Sequence, residues 1–349
     1  MRKTLIITHR WVAIVVSVVV LCAAASGTAM VFEGAIDRGL NPQLWRVQPS
    51  GEILQLDTLV ARVEAQFPAA KVGAVGLSPA GDRAWTLNGG PLTVFVNPYT
   101  GEVLGTRTPQ EAQAAFARRL HVFHVELLAG RIGRSVVGVA TAVALFLVIT
   151  GVILWWPDKL IRINTNASWK RITFDLHHAF GVMAAIVLLV ITTSGLVIHY
   201  DALGAMVRSL DSAPPTPPPA QQAGPADAPR LSFDAIAASA RGALPGANIM
   251  FISSGGPKNP VVVAMRFPED HTPGGRSRVF VDRYAGTVLG LNSTRAAQLG
   301  TRLDNLKRSL HTGDVLGKPS EAVWLLATLV MVSQVVTGLL MWWNARRLR

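Results

Sequence analysis

Residues 95–105 read FVNPYTGEVLG, and residues 280–290 read FVDRYAGTVLG. Each stretch leads from an apolar strand-like pair, through a turn rich in Asn, Asp, Pro or Gly, into a second strand-like run. This is the pattern of a β-hairpin. Its recurrence in the second half of the chain predicts that the protein consists of two similar halves, each with a small folded segment of its own.

Histidines recur in the same way. A histidine, a Thr-Gly pair and a Trp-Trp pair are repeated in the same order and with the same spacing, as His124, Thr150-Gly151 and Trp155-Trp156, then His311, Thr337-Gly338 and Trp342-Trp343. A further match aligns His9 and Ser26-Gly27 with His177 and Ser194-Gly195. Because the same residue types return at equivalent positions, we expect the histidines to act as a set.

The composition indicates a membrane protein. Of the 349 residues, 50% are hydrophobic and only 15% are charged, which is unusual for a soluble domain. Four apolar runs approach the length of about 20 residues that a helix needs to cross a bilayer. They are residues 11–32, 136–156, 179–198 and 322–343. The first run lacks a small-residue cleavage site, so we interpret it as a retained span and not as a signal peptide.

Basic residues indicate the orientation of these spans. They precede the first run, separate the second from the third and follow the fourth, as Arg2, Lys3 and Arg10; Lys159, Arg162, Lys170 and Arg171; and Arg346, Arg347 and Arg349. Since Lys and Arg are enriched in cytoplasmic loops, both termini are predicted to be cytoplasmic and the two long insertions extracytoplasmic. The net charge of +12 comes partly from these helix ends, which argues against a nucleic-acid partner.

The predicted fold class is an α-helical membrane protein, in which a tandem duplication gives a bundle of four transmembrane helices and two small α+β extracytoplasmic domains. Helices are expected at 1–32, 121–157, 176–200 and 306–349, the last with a basic tail. The outer domains are expected at 33–120 and 231–305, a cytoplasmic loop at 158–175 and a Pro-rich linker at 201–230.

Seven of the eight histidines lie near the ends of the apolar runs, where ionisable side chains mark functional sites. The spans lack internal carboxylates for a Zn²⁺ or Mn²⁺ site, and one cysteine, Cys22, cannot build a thiolate cluster. Two neutral imidazoles on facing helices instead suit haem b. We therefore predict two haem b groups. His9 and His177 would hold the inner one, and His124 and His311 the outer one.

Three other histidines remain alternative ligands. His178 directly follows His177, so only one of them can face the bundle. His121 lies one turn before His124 and has no histidine counterpart in the second half. His199 has no counterpart in the first half, and it could replace an outer ligand or lie near a substrate.

These motifs resemble those of PepSY-associated transmembrane proteins. The resemblance covers nearly the whole chain and rests on His-x5-Gly at 124–130 and 311–317, Thr-Gly-x3-Trp-Trp at 150–156 and 337–343, and the helix starts at 9–11 and 176–178. The hairpins at 97–105 and 282–290 are similar to those of PepSY domains. The resemblance implies a protein of the bacterial inner membrane, in a family that includes dihaem siderophore-iron reductases.

The resemblance also implies a function. The expected protein passes electrons across the membrane to a periplasmic acceptor, a ferric siderophore or other ferric chelate, and releases iron by reducing it. A quinol or another donor must supply the electrons, because the sequence contains no flavin or nicotinamide fingerprint. The alternative is a PepSY-mediated binding or regulatory module without redox activity, in which the histidines would be dispensable.

Overall fold

A computed structural model describes residues 1–157, 159, 161–213, 219–220, 231–255 and 259–346. These residues form two compact units. The first, here called the helical unit, comprises Met1–Gly34, Phe116–Val207 and Leu306–Arg349. The second, here called the sheet unit, comprises Ala35–Ala115 and Arg208–Asn305. Both units are therefore assembled from segments that are distant in the sequence.

The helices and strands follow one another in a repeated order. The helices are α1 (Arg2–Val31), α2 (Glu33–Leu40), α3 (Pro42–Trp45), α4 (Leu56–Gln66), α5 (Ala112–Glu126), α6 (Gly130–Trp155), α7 (Trp169–His199), α8 (Asp201–Arg208), α9 (Phe233–Ala243), α10 (Leu299–Thr312) and α11 (Lys318–Arg346). The strands are β1 (Val72–Gly76), β2 (Trp85–Gly89), β3 (Leu92–Val96), β4 (Val103–Arg107), β5 (Asn248–Ser253), β6 (Val261–Arg266), β7 (Ser277–Val281) and β8 (Val288–Asn292).

Four helices of the helical unit, α1, α6, α7 and α11, are long and apolar enough to span a membrane. Their most apolar windows have mean hydropathies between 2.0 and 2.7. This confirms the prediction of a membrane protein with four apolar helices. Around the bundle, α1 packs against α6 and α11, and α7 packs against the same two helices. Small side chains such as Ala140, Ala144 and Ala184 are buried at these contacts and let the backbones approach closely.

The helices before α6 and α11 are separate elements, which differs from the single helices expected at 121–157 and 306–349. Leu127, Leu128 and Gly130 have φ values of 51°, 58° and 57°, which end α5 before α6 begins. Gly313 and Gly317 have φ values of 81° and 72° and make the corresponding break between α10 and α11. Positive φ interrupts helical hydrogen bonding, so each junction separates two helices.

Two loop boundaries also differ from expectation. The cytoplasmic loop expected at 158–175 ends earlier, because α7 already begins at Trp169. The linker expected at 201–230 begins with helix α8. Residues 214–218 and 221–230, which hold most of its prolines, lie outside the described residues.

The sheet unit contains one antiparallel sheet of eight strands, in the order β4-β3-β2-β1-β5-β6-β7-β8. The two outer segments were expected as separate domains, but β1 and β5 pair directly, with Val75 opposite Ile252. Helices α4 and α9 contribute buried residues such as Leu59 and Ile236 to a core shared with the sheet. Backbone pairing and this common core make the two segments one folded unit.

The hairpins that revealed the repeat have matching geometry. The register between β3 and β4 shifts at Phe95/Val96, and the register between β7 and β8 shifts at Phe280/Val281. The turn amides at Tyr99 and Tyr284 donate to the side chains of Asn97 and Asp282, respectively. Asn and Asp therefore have the same role in the two turns, which explains their exchange in the sequence.

Candidate functional site

The helical unit brings two of the predicted histidines together. His124, on α5, and His311, on α10, lie with their ring centres 6.1 Å apart and their ring planes inclined by 53°. Both rings are half-buried in the bundle. The two short helices before α6 and α11 thus place a pair of imidazoles where the sequence predicted an outer ligand pair.

Backbone carbonyls fix the tautomer of this pair. The Nδ1 atom of His124 lies 3.0 Å from the carbonyl oxygen of Ala23, and Nδ1 of His311 lies 3.0 Å from the carbonyl oxygen of Ile191. A carbonyl oxygen can only accept, so each ring must carry its proton on Nδ1 and donate it. In the neutral imidazole, Nε2 then keeps its lone pair, which is the form that binds a metal.

His9 and His177 are held in the same way through threonine hydroxyls. Nδ1 of His9 lies 2.8 Å from Oγ1 of Thr150, and Nδ1 of His177 lies 2.9 Å from Oγ1 of Thr337. Each hydroxyl donates its own proton to a carbonyl one turn earlier in its helix, that of Phe146 or Ser333. The hydroxyl oxygen is therefore left to accept from the imidazole, and Nε2 again keeps its lone pair.

A glycine faces each of these four rings. A Cβ built on the glycine would lie 3.0–3.8 Å from the Cε1 atom of the histidine, for Gly27 and His124, Gly195 and His311, Gly151 and His9, and Gly338 and His177. The first two contacts are the tighter ones, at 3.1 and 3.0 Å. Glycine is the residue that leaves room for an imidazole against a helix backbone.

The remaining histidines have different surroundings. The ring of His178 stacks on Phe174 with the ring centres 3.9 Å apart. His121 is exposed on α5, and His271 is exposed between β6 and β7. These three rings do not show the contact with a glycine of another helix that the four oriented rings share, within the part of the chain that the structure describes.

His199 is an intermediate case. Its ring packs against Tyr200, and its backbone carbonyl accepts from Arg134. It also faces a glycine of another helix, Gly138 of α6, but a Cβ built there would meet its Nε2 and not its Cε1. The nitrogen that the other four rings keep free is therefore turned toward a helix backbone in His199, which argues against a role as an outer ligand.

The side-chain ligands that the structure describes do not suit a metal ion held by three or more residues, but they suit a haem. Among the described residues, no three His, Cys, Asp or Glu side chains are grouped to hold a metal ion. A haem would need only two side-chain ligands. His124 and His311, with ring centres 6.1 Å apart, would be one such pair, and the bound haem would supply redox chemistry.

The sequence did not reveal which residues orient the histidines. The Ser-Gly and Thr-Gly pairs, such as Thr150-Gly151, recur with the histidines in the sequence, but their shared spacing did not identify the residue that each one contacts. The structure shows that each Thr-Gly pair supplies both the acceptor and the open surface for one histidine. At Ser26 the hydroxyl lies 3.2 Å from Nδ1 of His124, beside the carbonyl of Ala23. The signal was present in the repeat, since hydroxyl, glycine and histidine recur together.

The fold and the site define a membrane protein with four long apolar helices and a set of oriented histidines. Residues 6–345 match the family model described as the PepSY-associated TM region, so the chain belongs to that family. Among curated proteins, none matches the chain.

Proposed function

We propose that this protein binds haem b through His9, His177, His124 and His311 and carries electrons across a membrane. The observation that supports this most strongly is the common state of the four rings. Each is turned against a glycine and donates from Nδ1 to an acceptor on another helix. That arrangement presents four oriented Nε2 lone pairs inside an apolar bundle, which is the requirement for axial ligation.

The chain's own residues would prepare each ligand. Bound haem b would supply a one-electron Fe(III)/Fe(II) couple. The carbonyls of Ala23 and Ile191 keep the outer imidazoles in the ligating tautomer and increase their basicity. The hydroxyls of Thr150 and Thr337 do the same for the inner pair. The apolar spans exclude water, which favours the neutral form of the imidazoles.

We also propose a topology and an origin. Both termini are placed in the cytoplasm of a bacterium and the sheet unit in the periplasm, because the basic residues cluster beside the ends of the spans on one side. The matching hairpins, register shifts and histidine contacts support a tandem duplication with two PepSY-like segments. In this arrangement the inner membrane separates donor from acceptor.

The acceptor class proposed is a ferric siderophore or another ferric chelate outside the membrane, and the donor is a quinol or another reductant. Reduction lowers the charge of the iron, which weakens its binding to hard oxygen ligands and releases it. The reaction is balanced by one electron from the donor for each Fe(III) reduced to Fe(II). The protein contributes ligand orientation and access.

Reoxidation of the reduced protein tests this function. Full-length protein from haem-replete cells is reduced with dithionite, freed of excess reductant and mixed with a ferric chelate. The Soret band should return to its oxidised position while Fe(II) appears in equal amount, as measured with a chromogenic Fe(II) chelator. A red protein that the chelate does not reoxidise would contradict the acceptor class. A colourless folded protein would favour a PepSY binding module without redox activity.

A further inference from the structure

The sheet unit contains a small cationic cavity. It has a volume of about 170 Å³ and is lined by Arg38, Trp45, Arg46, Asp82 and Arg83. Three guanidinium groups and one carboxylate leave the lining with a charge of +2. A concave surface of this size and sign is a candidate binding site for an anion.

Backbone pairing forces two of these arginines together. Arg46 and Arg83 are directly opposite each other in an antiparallel bridge, and opposite residues point to the same side. The neighbouring hydrogen bonds, from Val47 to Asp82 and from Ala84 to Trp45, hold this bridge at 3.1 and 3.0 Å. Like charges directly opposite each other disfavour a strand pair, so an anion bound between Arg46 and Arg83 would stabilise this bridge.

The tryptophan of the cavity is held in place by a separate ion pair. Asp37 forms a two-pronged pair with Arg107, at 2.8 and 2.9 Å, and accepts from the indole Nε1 of Trp45 at 3.1 Å. The ring of Trp45 also meets Phe95 edge-on at 4.9 Å. Because Asp37 is engaged by Arg107, it does not neutralise the adjacent Arg38, and the indole forms a rigid wall of the cavity.

We propose that this cavity binds carboxylate groups of an anionic ferric chelate. Guanidinium groups match carboxylates in planar, two-pronged geometry, and the indole face can cover the apolar stem of the ligand. The volume admits one or two carboxylate arms, so the metal centre of the chelate would remain outside the cavity. The identity of the metal complex rests on the proposed function, whereas the carboxylate site itself rests on the cavity.

Calorimetry with gallium citrate tests the site without electron transfer, because Ga(III) is not reduced under these conditions. The full-length protein in nanodiscs should bind gallium citrate. Arg46→Gln and Arg83→Gln should each weaken binding roughly 10- to 100-fold, as expected for loss of a hydrogen-bonded charge. Arg241→Gln is the matched control, since Arg241 is an exposed arginine of α9 outside the cavity, and it should leave affinity unchanged. Arg46→Lys should give an intermediate loss of affinity, because the positive charge is kept but the two-pronged geometry of the guanidinium group is lost.

Several outcomes would overturn the proposal. They are absence of binding to the wild type, equal affinity in Arg46→Gln and Arg241→Gln, and equally tight binding of inorganic phosphate. Equal affinity for metal-free citrate would overturn the metal complex as the ligand and support the carboxylate site. Unchanged thermal unfolding of the Gln variants shows that they are folded. The variant His311→Ala separates this proposal from the proposed function, because it should bind gallium citrate normally even if the helical unit carries no redox centre.

Discussion

The imidazole rings of His124 and His311 lie 6.1 Å apart although they belong to separate helices in opposite halves of the sequence. Neither helix is itself one of the four spans. The ring of His124 bonds to the carbonyl of Ala23 on α1, and the ring of His311 bonds to the carbonyl of Ile191 on α7. In each case the carbonyl belongs to a different helix from the one that directly follows the histidine. The breaks before α6 and α11 therefore serve the site, because they let a short helix turn its histidine into the bundle.

The threonine acceptors should control the inner ligands. Thr150→Val and Thr337→Val keep the side-chain shape but remove the oxygen that accepts from His9 or His177. We expect haem affinity at the inner site to fall about 10- to 100-fold, as for other lost partners of metal-binding histidines. The midpoint potential of that site should rise, because the imidazole becomes a weaker donor. Spectroelectrochemical titration measures both effects.

The control for these variants is Thr192→Val. Among the residues that the structure describes, the hydroxyl of Thr192 bonds to carbonyls of its own helix, those of Leu188 and Leu189. This change should leave the potential where it is in the wild type. Equal shifts in all three variants would show that the hydroxyls act through general packing.

Two glycines should differ in their tolerance of a methyl group. At Gly195 a Cβ would lie 3.0 Å from His311, whereas at Gly151 it would lie 3.8 Å from His9. The second distance is an ordinary contact, and the first requires the ring to move. Gly195→Ala should therefore loosen the outer haem, while Gly151→Ala should retain the inner one. Haem loss to apomyoglobin measures both rates, and faster loss only from the Gly151 variant would contradict the geometry.

Acid should remove the contribution of Asp37. Burial alone would raise its pKa, but the hydrogen bonds and charge of Arg107 outweigh burial and hold the pKa below the ordinary value of 3.8. A carboxyl with a lowered pKa stabilises the fold fully above 3.8, and the effect is lost as the pH falls through the folded-state value. At neutral pH, Asp37→Asn should lower the free energy of unfolding by about 1.5–3 kcal/mol, and Tm should fall with it.

The comparison at low pH provides the check on this prediction. The difference in Tm between wild type and Asp37→Asn should shrink progressively as the pH is lowered below 3.8. Glu52→Gln, at an exposed carboxylate of the same unit, should have little effect at either pH. A difference that stays constant with pH would show that the ion pair with Arg107 is not its source.

Two aspartates cap each other's helices. Asp57 accepts from the first two amides of α9, Phe233 and Asp234, and Asp234 accepts from the first two amides of α4, Leu56 and Asp57. Burial raises the pKa of Asp234, and the facing carboxyl of Asp57 adds to this effect. Burial acts in the same direction on Asp57, but its hydrogen bonds leave its pKa lowered.

Amide hydrogen exchange can measure this reciprocal capping at individual residues. Asp57→Ala should speed exchange at the amides of Phe233 and Asp234 and leave the Leu56 amide protected, since Asp234 still accepts from it. The expected cost is about 1 kcal/mol, typical for loss of a helix cap. Uniformly faster exchange in both helices would instead indicate general loosening of the sheet unit.

The repeat predicted the most informative features of the fold. The hairpin at 95–105, the four apolar helices and the histidines at equivalent positions all follow from periodicity and hydropathy, which are local properties of the sequence. The partner of each ring was not predictable. The contact between His9 and Thr150 joins α1 to α6, and residues 141 positions apart meet only after the bundle has packed.

Two other features depend on long-range packing. The pairing of Val75 with Ile252 makes one sheet of segments that looked like separate domains, because an edge strand gives no local signal of its neighbour. The positive φ of Leu127 and Leu128 likewise had no sequence signal, since leucine rarely adopts that conformation. The glycines Gly313 and Gly317 did carry such a signal, as glycines near a helix end mark its termination.

Pyridine haemochrome stoichiometry measures whether the four histidines hold two haem b groups. The wild-type chain should contain two haem b groups, and His177→Ala and His311→Ala should each retain one. His271→Ala, at an exposed position, should retain two. A wild-type protein that is folded and contains no haem, or two haems remaining in both single variants, would contradict the account.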